Sequence, residues 1–134
     1  MEISANHPSA LLGLSKSLLA QAKIGEALTL LLNFPPSREY SAAEILRPLA
    51  EAMHHIQSID SYSDEPLEAA FYHSIRLINK GMFPAAMDGL LDILRQDKRY
   101  RGGEARQVLV GLFEVLGETP LTRQYRQELS SILF

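Results

Sequence analysis

The stretch Ser74–Leu90, SIRLINKGMFPAAMDGL, repeats the spacing of Ser15–Leu31, SKSLLAQAKIGEALTLL, and this internal repeat indicates the fold. Both stretches place a serine three residues before a leucine, and both place an alanine four residues before another leucine. A small residue on each of two neighbouring helices lets the helix axes approach closely. Each stretch therefore predicts a hairpin of two packed helices, and the second hairpin follows the first at an offset of 59 residues.

Prolines and glycines divide the rest of the chain into further helices. Prolines suited to a first helical turn stand at Pro8, Pro66, Pro84 and Pro120, and helix-ending residues stand at Pro35-Pro36, Gly81, Gly102-Gly103 and Gly117. Ser41-x-x-Glu44 has the spacing of a capping box and predicts the start of a third helix, in which Pro48 is expected to cause a kink. No segment shows the alternation of a strand. The prediction is an all-α stack of antiparallel hairpins with about seven helices, in one domain over residues 1–134.

Helical spacing also predicts which side chains face the core. The side chains expected to point inward on the first, third, sixth and seventh helices include Leu11, Leu14, Leu18, Ile45, Leu49, Met53, Val108, Leu109, Leu112, Leu121, Tyr125 and Leu129.

Composition and charge exclude several classes of function. The net charge of −3 argues against a nucleic-acid-binding face, which needs a basic surface. The chain has no cysteine, so disulfides and thiol catalysis are excluded for these 134 residues. The N-terminal residues lack the pattern of a signal peptide, and no apolar run approaches the roughly 20 residues of a membrane span. We expect a cytoplasmic protein that binds no membrane.

No motif indicates catalysis, a metal or a cofactor. His54 and His55 are adjacent and point in different directions on a helix, whereas metal-binding pairs are four residues apart. The acidic loop of Asp60, Asp64 and Glu65 lacks the glycine and glutamate of a calcium loop, and Asp64 is expected to cap the fourth helix. Gly102-Gly103 has no phosphate-binding motif around it and predicts a tight interhelical turn.

One charged pair is expected to stabilise that turn. Asp97 and Arg106 flank the residues 100–103, so an ion pair between them would join the fifth helix to the sixth. An exposed pair of this kind contributes about 0–1 kcal/mol.

The second half of the chain carries a denser signature. It comprises Leu90-Leu91-x-Ile93-Leu94, Asp97, Tyr100, Gly103-x-Ala105-Arg106, Leu109, Leu112-Phe113, Leu116-Gly117 and Tyr125-Arg126-x-x-Leu129. This signature resembles the C-terminal tetratricopeptide-like region of bacterial thioredoxin-like co-chaperones, the chaperedoxin group. The resemblance extends more weakly to Glu26-Ala27-Leu28 and Arg47-Pro48-Leu49-Ala50. It implies a co-chaperone or holdase that binds unfolded clients or a chaperone partner. The thioredoxin-like domain of that family is absent here, so the chain is expected to be a fragment of a longer protein or a stand-alone relative.

Two surfaces are predicted to bind a partner protein. In tetratricopeptide proteins the first helix of each hairpin lines a concave face, which here would present Leu12, Lys16, Leu19, Phe71, Ile75 and Ile78. The alternative is that these side chains form the core, and burial of Phe71 and Ile75 would establish it. The second surface is the apolar end of the last helix, with Leu129, Ile132 and Phe134, which would either dock on a partner or cap the stack.

Three functional hypotheses remain open from the sequence. The leading one is a non-enzymatic protein-interaction module of a thioredoxin-like co-chaperone. The second is the non-catalytic half of a thiol-disulfide oxidoreductase, which requires a preceding thioredoxin-like domain. The third is a structural dimerisation domain, in which an apolar surface pairs with a second copy across a two-fold axis.

Overall fold

The computed structural model describes residues 7–58 and 63–134, and these residues form helices and turns without a strand. In chain order the helices are α1 (Pro8–Ala20), α2 (Ile24–Leu32), α3 (Tyr40–Ser58), α4 (Pro66–Asn79), α5 (Phe83–Gln96), α6 (Tyr100–Leu116) and α7 (Pro120–Leu133). The predicted all-α class and the predicted seven helices are confirmed. No helix in this described part combines the length and apolarity that crossing a bilayer would require.

Four helices, α1, α4, α5 and α7, have a predicted proline in the first turn, and α1, α4 and α7 also have a side-chain cap in front of it. Glu65 caps α4, its carboxylate accepting hydrogen bonds from the backbone N–H groups of Leu67 and Glu68 at 3.2 and 2.7 Å. The predicted cap, Asp64, is one residue too early, because Pro66 fixes the first turn directly after Glu65. The other acidic residue of that predicted loop, Asp60, lies outside the described residues.

The predicted capping box of α3 is wrong. The helix already begins at Tyr40, so Ser41 is inside the first turn and cannot occupy the cap position. Glu44 instead forms an ion pair at 3.2 Å with Arg47, which lies one turn further along the same helix. Pro48 lies within α3, and the helix continues past it to Ser58.

The two repeated hairpins turn in the same way. In α1/α2 the N–H of Lys23 donates to the carbonyl of Leu18 at 2.8 Å, and in α4/α5 the N–H of Met82 donates to Leu77 at 2.9 Å. Between them, Ala22 and Gly81 occupy equivalent positions with φ of +59° and +77°. This is the left-handed C-terminal turn that favours glycine. The repeat seen in the sequence is therefore also a repeat of backbone geometry.

Small residues lie where the paired helices cross. Ser15 and Ser74 are buried, and each hydroxyl donates to the carbonyl one turn earlier in its own helix. Ala27 and Ala86, opposite them on the second helix of each hairpin, have no exposed surface. Burial of these short side chains in both hairpins supports the close approach that the spacing predicts.

The helices form a stack in which α6 packs back against the first helix. α3 packs between α2 and α4, while α6 packs on α5, on α3 and on α1. Gly111 allows α6 to approach α3, since a Cβ at this position would lie 2.8 Å from the Cβ of Leu49. α7 packs on α5. The core therefore runs between the hairpins and under α6.

Three of the inward-facing predictions are wrong. Leu14, Ile45 and Leu121 are 48%, 38% and 40% exposed. The predicted face of each helix is otherwise correct, and these three side chains lie at its edge. The buried side chains on the corresponding faces are Ser15, Leu18 and Leu19 in α1, Leu46, Leu49, Ala50 and Met53 in α3, and Thr122, Tyr125 and Leu129 in α7.

A left-handed turn separates α5 from the regular part of α6, as the paired glycines predict. Arg101, Gly102 and Gly103 follow one another with φ of +53°, +66° and +96°. Arg101 is not a glycine, and its guanidinium is held by Glu104 at 2.6 Å and lies 5.2 Å from the ring centroid of Phe71. These contacts compensate for a backbone conformation that costs an L-residue about 1–2 kcal/mol.

Candidate functional site

Four of the predicted partner-binding side chains lie in the core. Phe71 and Ile75 are 2% and 0% exposed, and Leu19 and Ile78 are 1% and 2% exposed. Side chains enclosed in this way contact their own chain and present no surface to a partner. This is the arrangement that the core alternative predicts, because α4 packs between α3 and α5, and α1 packs on α2, α3 and α6.

The remaining two residues of that predicted face lie at the side of α1. Leu12 is partly buried and packs against the core. Lys16 is partly buried, and its ammonium contacts the carboxylate of Glu114 in α6 at 2.8 Å. The Lys16 charge is therefore engaged within the chain, where it links α1 to α6.

The end of α7 supplies the exposed apolar side chain that the sequence predicts there. Phe134 is 97% exposed, whereas Leu129 is buried and Ile132 is partly buried against the core. The same short segment thus contains both arrangements that were considered, since Leu129 closes the stack and Phe134 is free to contact another molecule.

Phe134 lies at one side of a continuous surface depression between three helices, which we call the α3/α6/α7 groove. Three adjoining cavities form it, and Arg106 lines all of them. The residues that line its length include Glu44, Ile45 and Pro48 of α3, Arg106, Val110 and Glu114 of α6, Arg126 and Leu133 of α7, Phe134, and Lys98 and Arg99 before α6.

The position of α7 beside the groove follows from how α7 is attached. Thr119 caps α7, and its hydroxyl accepts from the N–H of Thr122 at 3.1 Å. Further along, the hydroxyl of Tyr125 donates to Asp88 of α5 at 2.8 Å. α7 is therefore anchored on α5, and the C-terminal end of α7 borders the α3/α6/α7 groove. Burial, with the adjacent Asp88, raises the pKa of Tyr125 to about 12, so its hydroxyl remains a donor at neutral pH.

The exposed apolar surface of the groove comes from both sides. Ile45 on α3 and Phe134 at the end of α7 are 38% and 97% exposed. Val110 and Leu133 are partly buried and pack against the core between them. The sequence pattern indicates Phe134 as a binding residue but not Ile45, which it predicts to face the core. The signal that identifies Ile45 is the buried series Leu46, Leu49, Ala50, Met53, to which it does not belong.

The predicted ion pair between Asp97 and Arg106 is not formed. Asp97 instead accepts from the backbone N–H of Arg99 at 3.1 Å and so stabilises the turn before α6. Among the residues that the structure describes, the exposed Arg106 has no ion-pair or hydrogen-bond partner. Its guanidinium is available in the middle of the groove.

The described residues show no arrangement for metal chemistry. Within 7–58 and 63–134, no three histidine, aspartate or glutamate side chains lie close enough to hold a metal ion. His54 and His55 are exposed on α3, and the ring of His7 accepts from the N–H of Ala10 at the start of α1. The geometry of the groove is suited to contact with a macromolecule, since it is open, apolar on two sides and positively charged between them.

The comparison with known protein families agrees with the hairpin repeat. A family model described as tetratricopeptide repeat matches residues 46–134, which include α4 to α7 and most of α3. No curated protein and no solved structure matches the chain.

Proposed function

Because the chain belongs to the tetratricopeptide repeat family, we propose that it binds a partner protein in the α3/α6/α7 groove. Tetratricopeptide domains mediate protein–protein interaction and are typically not catalytic. The observation that carries the assignment to this groove is the pair of exposed apolar side chains, Ile45 and Phe134, on its two sides. Apolar surface that the chain itself leaves uncovered marks sites of contact with other molecules.

We further propose that the partner is an unfolding client or a chaperone, as in a cytoplasmic co-chaperone. The second-half signature supports this role through its resemblance to thioredoxin-like co-chaperones. An open groove is also suited to the apolar segments that unfolding proteins expose. The chain would then act as a holdase that delays aggregation of its client.

The test is the suppression of aggregation of a thermally unfolding model protein, followed by light scattering. The full chain should reduce scattering, and the double variant Ile45→Ser/Phe134→Ser should lose the effect. Leu32→Ser is the matched control, because Leu32 is a 59% exposed apolar side chain that does not line the groove.

The outcomes separate the two parts of this proposal. If the unmodified chain leaves aggregation unchanged, the holdase role is wrong. If Leu32→Ser reduces the effect as strongly as the groove variant, the α3/α6/α7 groove is not the binding surface.

A second candidate, self-association, is favoured by two exposed apolar side chains of the first hairpin. Leu14 and Leu32 are 48% and 59% exposed, and Lys16, Lys23 and Glu26 are the charged residues of 8–32. A dimer that covered these leucines would remove them from water. Sedimentation of the unmodified chain and of Leu14→Ser/Leu32→Ser tests it: a dimer should become a monomer, and a monomer in both samples rejects the candidate.

A further inference from the structure

The charges along the α3/α6/α7 groove are unevenly compensated. Its lining carboxylates are engaged within the chain: Glu44 with Arg47 at 3.2 Å and Glu114 with Lys16 at 2.8 Å. Arg106, in contrast, is exposed and has no ion-pair partner within the described residues. The groove therefore has an excess of positive charge.

Two further cations extend this excess toward Phe134. Lys98 and Arg99 line the end of the groove together with Phe134, and both are exposed. Neither side chain has an ion-pair partner in the described part of the chain. The whole chain has a net charge of −3, so the positive charge is a local property of this groove and not of the surface in general.

We infer that the α3/α6/α7 groove takes an acidic, amphipathic segment of a partner protein. In this arrangement large apolar side chains of the segment contact Ile45 and Phe134, and its carboxylates pair with Arg106. Guanidinium groups bind carboxylates in a bidentate geometry, which gives Arg106 a directional role beyond its charge. The inference rests on the proposed function, because it names the chemistry of the partner in the same groove.

A protein segment accounts for these observations better than other anionic macromolecules do. The cations are interleaved with apolar side chains from α3 and α7, and Glu44 and Glu114 lie beside them. A nucleic acid or a lipid surface would bring dense negative charge against those carboxylates. An amphipathic segment can instead place its few acidic groups only where the cations are.

The direct test uses three labelled helix-forming peptides and the full chain. The peptides share one leucine and phenylalanine face and differ in carrying glutamate, glutamine or lysine beside it. By fluorescence anisotropy the glutamate peptide should bind about tenfold more tightly than the glutamine peptide, and the lysine peptide should bind most weakly. Raising NaCl from about 0.1 M to about 1 M, which shortens the Debye length from about 10 Å to about 3 Å, should remove most of this preference.

Charge reversal at the groove gives the second test. Arg106→Glu should abolish or invert the preference for the glutamate peptide. Lys23→Glu is the matched control, since it changes the net charge equally at an exposed cation that does not line the groove, and it should leave the preference intact. A control that loses the preference as strongly as Arg106→Glu overturns the inference.

The outcomes distinguish this inference from the proposed function. If all three peptides bind equally and Phe134→Ser weakens them all, the groove binds proteins but the acidic chemistry is wrong. If none of the peptides binds, the inference fails, and the aggregation assay decides the proposed function separately. If an oligonucleotide or an anionic vesicle binds instead and Arg106→Glu prevents it, the assigned class of partner is wrong.

Discussion

The two hairpins share one spacing and one turn but differ in how closely their helices pack. Gly89 in α5 would place a Cβ 2.4 Å from the hydroxyl oxygen of Ser74, so only a glycine fits this crossing without movement. The equivalent position in α2 is Leu30, which is partly buried. At the turn, Gly81 and Ala22 both have positive φ, and only the residue type differs.

This comparison shows that the repeat spacing determines hairpin geometry, while the neighbours determine what is buried. Both hairpins pack on α3 and α6, and the second also carries α7. Asp88, which holds Tyr125 of α7, corresponds to Thr29 in the first hairpin. The first hairpin accordingly leaves Leu32 exposed, and it lies outside the part of the chain that the family model matches.

The strongest test of the equivalence of the two hairpins is to truncate the corresponding leucine in each. Leu31 and Leu90 are 2% and 0% exposed, so Leu31→Ala and Leu90→Ala should each lower the free energy of unfolding by about 3 kcal/mol. Urea unfolding followed by circular dichroism measures both. A loss below about 1 kcal/mol at Leu31 alone would show that the first hairpin is not part of the same cooperative core.

The close helix crossing at Gly89 should make the second hairpin sensitive to an added methyl group, which should lower the free energy of unfolding by about 1–2 kcal/mol. Gly89→Ala is expected to destabilise the protein although alanine favours helix, because the added methyl group meets the hydroxyl of Ser74. In a Ser74→Ala background the same change should become neutral or stabilising, since the obstructing oxygen is gone. Chemical denaturation of the four variants gives the coupling free energy, and simple additivity would contradict the steric explanation.

The anchor of α7 on the second hairpin should be sensitive to alkaline pH. The folded pKa of Tyr125 is raised to about 12 from an ordinary value near 10, so its contribution to stability is complete below about pH 10. It should be lost as the pH rises through the folded pKa, because the unfolded chain then releases the proton more readily.

Tyr125→Phe isolates this effect. The variant should lose about 1 kcal/mol at neutral pH, the contribution of the hydrogen bond to Asp88. Between about pH 10 and pH 12 the unmodified protein should lose stability relative to the variant. Parallel slopes of unfolding free energy against pH for the two proteins would contradict the assignment.

The smallest expected effects concern the equivalent turn residues. Ala22→Gly should stabilise the protein by about 0.5–1 kcal/mol, because glycine adopts positive φ without strain and only part of that gain is offset by chain entropy. Gly81→Ala should destabilise it by a similar amount, and nothing lies within 4 Å of the added Cβ to alter the result. Thermal unfolding of both variants measures the pair, and changes of the same sign would show that the two turns are not equivalent.

Most helix boundaries can be predicted from the sequence because they depend on the local residue types. Pro66, Pro84 and Pro120 lie in the first turns of their helices, and Gly102 and Gly103 form the predicted turn, with positive φ. The capping box at Ser41 failed because the chain was already helical at Tyr40, which no local motif signals.

The candidate site was less predictable because it depends on contacts between distant helices. Phe71 and Ile75 carry the pattern of an exposed repeat face, and they are buried because α4 packs between α3 and α5. Ile45 and Arg106 become neighbours only when α6 packs on α3. Their positions follow from Gly111, whose close contact with Leu49 cannot be recognised without knowing which helix it faces.

The left-handed run at Arg101–Gly103 has a consequence for how the sequence can vary. Side chains at Gly102 and Gly103 would be conformationally strained although the space around both is open, so these positions preserve the backbone. Lys98 and Arg99, just before them, are exposed and can be exchanged without disturbing the core. The residues that preserve the backbone and the residues that set the surface charge are therefore different residues of one short segment. Substitutions at Lys98 and Arg99 would change the surface charge of this segment while retaining the same arrangement of helices.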